Sequence, residues 1–246
     1  MPPKKKPRTP PPPRRVQAPQ QRSGTAGDMG MEHRKLLYAI AASGIVALAA
    51  VVIGIVAFGG AGGTKVNDKQ VAAQMTAAGC SFKTVNAYIP KGQGTHVNSL
   101  TAKLPWNTSP PSNGQHYPNW AVWGFYTTAV NPRMVVHNEE HGGVVLWWGS
   151  DVTPATVAKL NAFYREEPTG SFGTPYPKLG SKVAITAWTG DPPRYQHNGY
   201  YGQGHIGICP RYDAATEKAF TAFRKAYRGH GPEGIPLSAD APGLGP

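Results

Sequence analysis

A chain of 246 residues has room for one globular domain plus extensions. Its 30 Gly and 25 Pro are concentrated toward the ends, as expected for unfolded termini around a compact middle. The net charge of +12 is also uneven: residues 1–35 carry nine Lys/Arg against Asp28 and Glu32, and no basic cluster with interleaved aromatics marks the rest, which argues against a nucleic-acid partner.

Residues 1–35 read as a disordered, basic, Pro-rich tail whose charge prevents collapse. Leu36 to Phe58 is a run of 23 uncharged residues, long enough to cross a hydrocarbon core as one helix. Arg34 and Lys35 directly precede it, and only Lys65 and Lys69 follow closely. The positive-inside bias therefore predicts a single-pass anchor, with the N-terminus cytoplasmic and the C-terminal domain extracellular at the cell membrane. The apolar run is too long, and its leader too extended, for a cleaved signal peptide. Membrane lipid is then the first partner, met by the anchor and the basic tail. Another envelope protein is the second.

Beyond a linker at 59–67, residues 68–229 read as one extracytoplasmic α+β domain and residues 230–246 as a disordered C-terminal tail. Asp68–Gly79 has a helical apolar stripe of Val71, Ala72, Met75 and Ala78, and Gly79 stops it. Thr84–Ile89 reads as a strand. Residues 90–120 are a long irregular stretch whose aromatics, with His96 and His116, argue against simple disorder. Ala121–Thr127 and Met134–Val136 are strand-like, and Val144–Trp148 suits a central strand. Thr153 and Pro154 open a helix carrying Val157, Leu160 and Phe163. Lys182–Thr189 is another strand. A last helix runs from Asp213 or Ala214 to Tyr227, with Ala219, Phe220, Phe223 and Tyr227 on one side.

Cys80 and Cys209 are the only cysteines. In an oxidising compartment their simplest reading is one disulfide, with two buried thiols or two metal ligands as alternatives.

The stretch 134–148 holds the chemistry. His137, Glu140 and His141 form H-x-x-E-H, a spacing that places two imidazoles and a carboxylate on one helical face. In inverzincins this pattern supplies two zinc ligands and a general base. Here it is pressed between two strand-like runs and followed by Gly142–Gly143, which leaves room for about one helical turn. His116 adds a third nitrogen, and three protein ligands with an open position make a catalytic-type zinc site. Met134 nearby would favour copper, since a thioether prefers Cu(I). Against both stands a structural role, in which the histidines and glutamate satisfy one another at a buried corner. His197 and His205 lie in a Gly/Tyr-rich loop that either joins this site or stays on the surface. The six tryptophans read chiefly as core.

The ordered set S-P-P-S-N-G-Q-H-Y-P (109–118), W-G-x-Y at Trp123, Gly124 and Tyr126, H-N-x-E-H-G-G (137–143) and A-W at Ala187 and Trp188 resembles the bacterial family of domain of unknown function 3105 over roughly residues 65–230. The resemblance implies a membrane-anchored outer domain, frequent in actinobacteria, and supplies no reaction. Members typically carry Leu where this chain has Glu139.

Three functional readings follow. The first is a binding module that holds zinc, copper or a small ligand through His116, His137, Glu140 and His141. The second is a metal-dependent hydrolase with Glu140 as its catalytic general base. The third is an envelope structural protein without a ligand. The sequence lacks a G-x-S-x-G elbow, a Walker loop and a dinucleotide fingerprint, which argues against the commonest enzyme classes.

Overall fold

A computed structural model describes residues 68–190 and 201–246. The basic tail, the 36–58 segment, the linker and His197 lie outside them. Among the described residues no helix is long and apolar enough to cross a membrane.

In chain order the elements are α1 (Asp68–Ala77), β1 (Ser81–Asn86), α2 (Pro132–Glu140), β2 (Val144–Trp148), α3 (Pro154–Glu166), β3 (Ser171–Pro175), β4 (Val183–Thr189), β5 (Gln203–Cys209) and α4 (Ala214–Tyr227). The strands form one sheet in the order β1-β5-β4-β2-β3, antiparallel except for the parallel β2–β3 pair. The result is the expected α+β domain.

Period-two alternation divides the strand side chains between two layers. Val144, Leu146, Trp148, Val183, Ile185 and Ala187 face a core built with Val71 and Met75 of α1, Leu160 and Phe163 of α3, and Phe220, Phe223 and Tyr227 of α4. Val145, Trp147 and Ala184 face the other way, onto Val135 of α2 and onto Ala121 and Trp123 of the preceding loop. The second layer carries the histidine-rich region.

The helix starts follow sequence chemistry. Thr153 caps α3 through Thr156 N, and Asp213 caps α4 through Thr216 N, as Ser/Thr/Asp residues do for unpaired first-turn amides. Around Met134–Val136 the structure corrects the strand reading. Asn131 accepts from Arg133 N and Pro132 occupies the first turn, so this capping pair starts a nine-residue helix instead. The apolar Met134, Val135 and Val136 are its core-facing side rather than a strand. H-x-x-E-H is therefore the last turn of a helix longer than the single turn expected, with His141 as its C-cap. Ala121–Thr127 contributes only an isolated bridge, Phe125 to Gly173.

The 230–246 tail is also corrected. Gly231, Pro232 and Asp240 are buried, a short 3-10 turn spans Leu237–Asp240, and Trp123 N donates to Leu244 O at 2.9 Å. This segment is a strap laid over the domain. Cys80 and Cys209 are joined, their sulfurs 129 residues apart in sequence. The thiol and metal-ligand alternatives are thereby removed.

His205 does not join the histidine region. It points into the helical layer, where Thr84 and Thr189 hydroxyls lie 3.1 and 2.8 Å from its nitrogens and Tyr227 stacks on it with ring centres 3.9 Å apart. The same network holds Asp68, which accepts from Thr84 at 3.0 Å and from Tyr227 at 2.8 Å. Burial holds the His205 pKa down to about 4, with the Asp68 carboxylate acting in the opposite direction. An unfolded histidine titrates near 6.5, so the unfolded chain takes up the proton first. The stabilisation is complete above that value and is lost as pH falls toward 4, amounting to at most roughly 3 kcal/mol. Denaturant midpoints of His205→Phe are expected to fall less than those of the parent chain across this window. Parallel acid limbs would contradict the assignment.

Candidate metal centre

At 100° per residue, His137 lies between Glu140 and His141 when α2 is viewed along its axis. The three side chains consequently fan outward, with His137 common to both flanks. Asn138 clamps the incoming loop by accepting from Ala121 N at 2.9 Å and donating to Ala121 O at 2.8 Å. Glu139 turns away from the histidines into the sheet, where it accepts from Thr186. Trp147 Nε1 donates to the same hydroxyl at 2.6 Å. Glu139 is fully buried, and burial pushes its pKa well above the carboxylate range despite that hydrogen bond. An apolar residue would suit this position.

His116 arrives from the long loop. Val97 N donates to His116 O at 2.7 Å and His116 N to Thr95 O at 2.9 Å, which sets His96 beside His116. Tyr117 N then donates to Arg133 O at 3.0 Å, tying the loop to the first turn of α2. The ring centres of His96, His116 and His137 are separated by 4.9, 4.8 and 5.1 Å. Imidazoles held by one tetrahedral ion through nitrogens about 2.0–2.1 Å from it would have centres about 5 Å apart.

The nitrogens are oriented as ligand nitrogens are. His116 Nδ1 lies 2.8 Å from Gly114 O, and His137 Nδ1 lies 3.0 Å from Tyr117 O. A carbonyl only accepts, so both Nδ1 atoms carry hydrogen and Nε2 is the nitrogen left to face a ligand. His116 Nε2 is 2.9 Å from Glu140 Oε2, close but not aligned as a hydrogen bond. His96 Nε2 is 3.7 Å from the same oxygen. His96, His116, His137 and Glu140 thus each offer a donor atom, all within 4.8 Å of one another. Burial, reinforced by the neighbouring His116, holds the His137 pKa down to about 4, so its ring is a neutral donor at ordinary pH. His96 is half-exposed and its pKa shifts upward, chiefly through the neighbouring Glu140 carboxylate.

On the other flank His137 and His141 meet Glu233 in a second group with the same spacing. His141 Nε2 is 3.4 Å from Glu233 Oε2, and its Nδ1 is 3.5 Å from Asp240 Oδ1. Trp120 borders this flank, its ring 5.5 Å from His137 and 4.7 Å from His141. Trp188 backs His116 at 5.9 Å. The other expected soft donor is elsewhere: Met134 packs in the apolar layer with Val145 and Trp147.

Of the expected residues, His116, His137 and Glu140 come together on one side and His141 falls on the other. His96 joins the first group. Glu233 belongs to the second, with Asp240 behind His141, and no local signal in HGPEG or LSADA distinguishes these two from residues of a loose tail.

Residues 96–237 match the family described as Protein of unknown function (DUF3105). The chain belongs to this family. The DUF3105 match covers the whole of α2, both His/Glu groups and Cys209, and ends before Asp240. No curated protein and no solved structure matches the chain.

Proposed function

We propose that this DUF3105 domain is a metal-binding module, with His96, His116, His137 and Glu140 as its ligands. The observation that carries the reading is the convergence of three imidazoles and one carboxylate, with the Nδ1 atoms of His116 and His137 fixed by carbonyls. Buried polar atoms are normally hydrogen-bonded, and His116 Nε2, which has no such bond among the described residues, is accounted for by a cation. The donor set is nitrogen and oxygen without sulfur, since both cysteines are bridged and Met134 lies in the apolar layer. This favours zinc or Cu(II) over Cu(I). Glu140, placed among the donors, serves as a ligand rather than as the general base of a hydrolase.

We further propose that the Leu36–Phe58 segment anchors the domain on the outer side of the cell membrane, a reading supported by the disulfide. Protease added to intact cells should then degrade the domain; protection of the domain would reverse the orientation.

Elemental analysis of the purified full-length chain, dialysed against zinc and then against buffer, should find one ion per chain. His116→Ala and His137→Ala should each lower affinity by on the order of 100-fold or more while circular dichroism stays unchanged. Parent protein without bound metal, or His variants that retain it with parental affinity, would refute the reading.

A further inference from the structure

In the second group, His137, His141 and Glu233, the site above uses only His137. The donor atoms of this group are as close together as those of the first. Yet His137 has one nitrogen committed to Tyr117 O and therefore a single lone pair, which serves one ion at a time. The two groups are thus alternative positions for one ion, joined by a shared ligand. His141 is prepared for such a role. Its Nδ1 faces buried Asp240, leaving Nε2 toward Glu233, and a carboxylate behind an imidazole is the usual support of a metal-ligating histidine. Neither oxygen of Asp240 has an aligned hydrogen bond among the described residues. Each group reaches solvent through one ligand, His96 with 44% of its side chain exposed and Glu233 with 28%, whereas Glu140 and His116 are fully buried. The strap that carries Glu233 and Asp240 is seated on the end of α2 by Gly229 N donating to Gly142 O at 2.8 Å and Glu233 N to Glu140 O at 3.4 Å.

We infer that His141 and Glu233 form an exchange station, at which a divalent transition-metal ion is received from or surrendered to solvent while His137 hands it to or from the His96–His116–Glu140 position. The inference rests on the metal reading above. An ion that moves in this way has a route to solvent besides the one past His96.

The test uses Co²⁺ alone as probe, with the full-length chain and its visible absorption as the signal. Glu233→Gln and His141→Gln should slow both Co²⁺ uptake and its extraction by EDTA by a common factor on the order of ten, with one ion per chain and an unchanged Kd. A waypoint alters both directions equally; a ligand does not. Four results would overturn the inference: unchanged rates; a second ion in the parent chain that the variants lose; faster extraction with weakened affinity; and unequal slowing of the two directions. Glu233→Gln changes a partly exposed side chain to one of the same shape and keeps the test valid should His141→Gln disturb folding. A parent chain that binds no Co²⁺ removes the metal reading itself, a failure distinct from a parent that binds one ion with variant rates unaltered.

Discussion

Reduction of the Cys80–Cys209 bridge is expected to cost roughly 4–5 kcal/mol of stability, a large share of what a domain of this size possesses. Ser81 pairs with Ile208 at the end of the β1–β5 ladder, so the bridge lies one step beyond the last paired residues and locks strands that are already neighbours. Its effect therefore falls mainly on the unfolded chain, where it closes a loop of 129 residues. Both cysteines are buried, so the double variant Cys80→Ala/Cys209→Ala also loses some packing. Denaturant midpoints of the oxidised, reduced and double-variant chains provide the measurement. Coincident oxidised and reduced midpoints would show that the unfolded chain gains nothing when the bridge opens.

Gly231→Ala is expected to be the most damaging single methyl group in the strap, at about 3 kcal/mol or more. A Cβ there would run into Gly142 N, Glu140 O and the His141 carbonyl carbon, all of them backbone atoms. The opposing backbone has little freedom to withdraw. Gly142 adopts φ +109°, a conformation that side-chain-bearing residues rarely take, and its neighbours carry Glu140 and His141. The strap must move instead, taking Glu233 and Asp240 with it. Gly94→Ala, whose Cβ would meet only His96 N at 4.0 Å, serves as the control and should change stability by less than about 1 kcal/mol. Equal midpoints for the two variants would mean that the strap is not seated as described.

Elements with strong local chemistry were legible in the sequence. The Thr153 and Asp213 caps opened helices where expected, and the continuous apolar run at Val144–Trp148 became a fully buried central strand. Two strands were hidden by glycine. In β5, Gly204 lies against Ser112 and Asn113, and Gly207 lies under Met75. In β3, Gly173 lies under Phe125. Each marks a close approach by another layer, which requires a missing side chain, so the residues that weaken a strand pattern here report tight packing. The same physics disguised the strap. Its Gly and Pro resemble a loose tail in composition but place backbone against backbone over Gly142. In the candidate site, His137 and Glu140 were readable from helical spacing and His116 from its motif. The division of His137 and His141 between two groups was not, because it depends on which distant segment each flank of α2 meets.

The claim that a metal is held by the His96, His116, His137 and Glu140 group is tested most directly by X-ray absorption at the zinc edge of the loaded full-length chain. The account predicts a first shell of nitrogen and oxygen at about 2.0–2.1 Å, with the outer-shell scattering of about three imidazole rings and no sulfur. A sulfur-containing shell, or an all-oxygen shell without imidazole scattering, would contradict it.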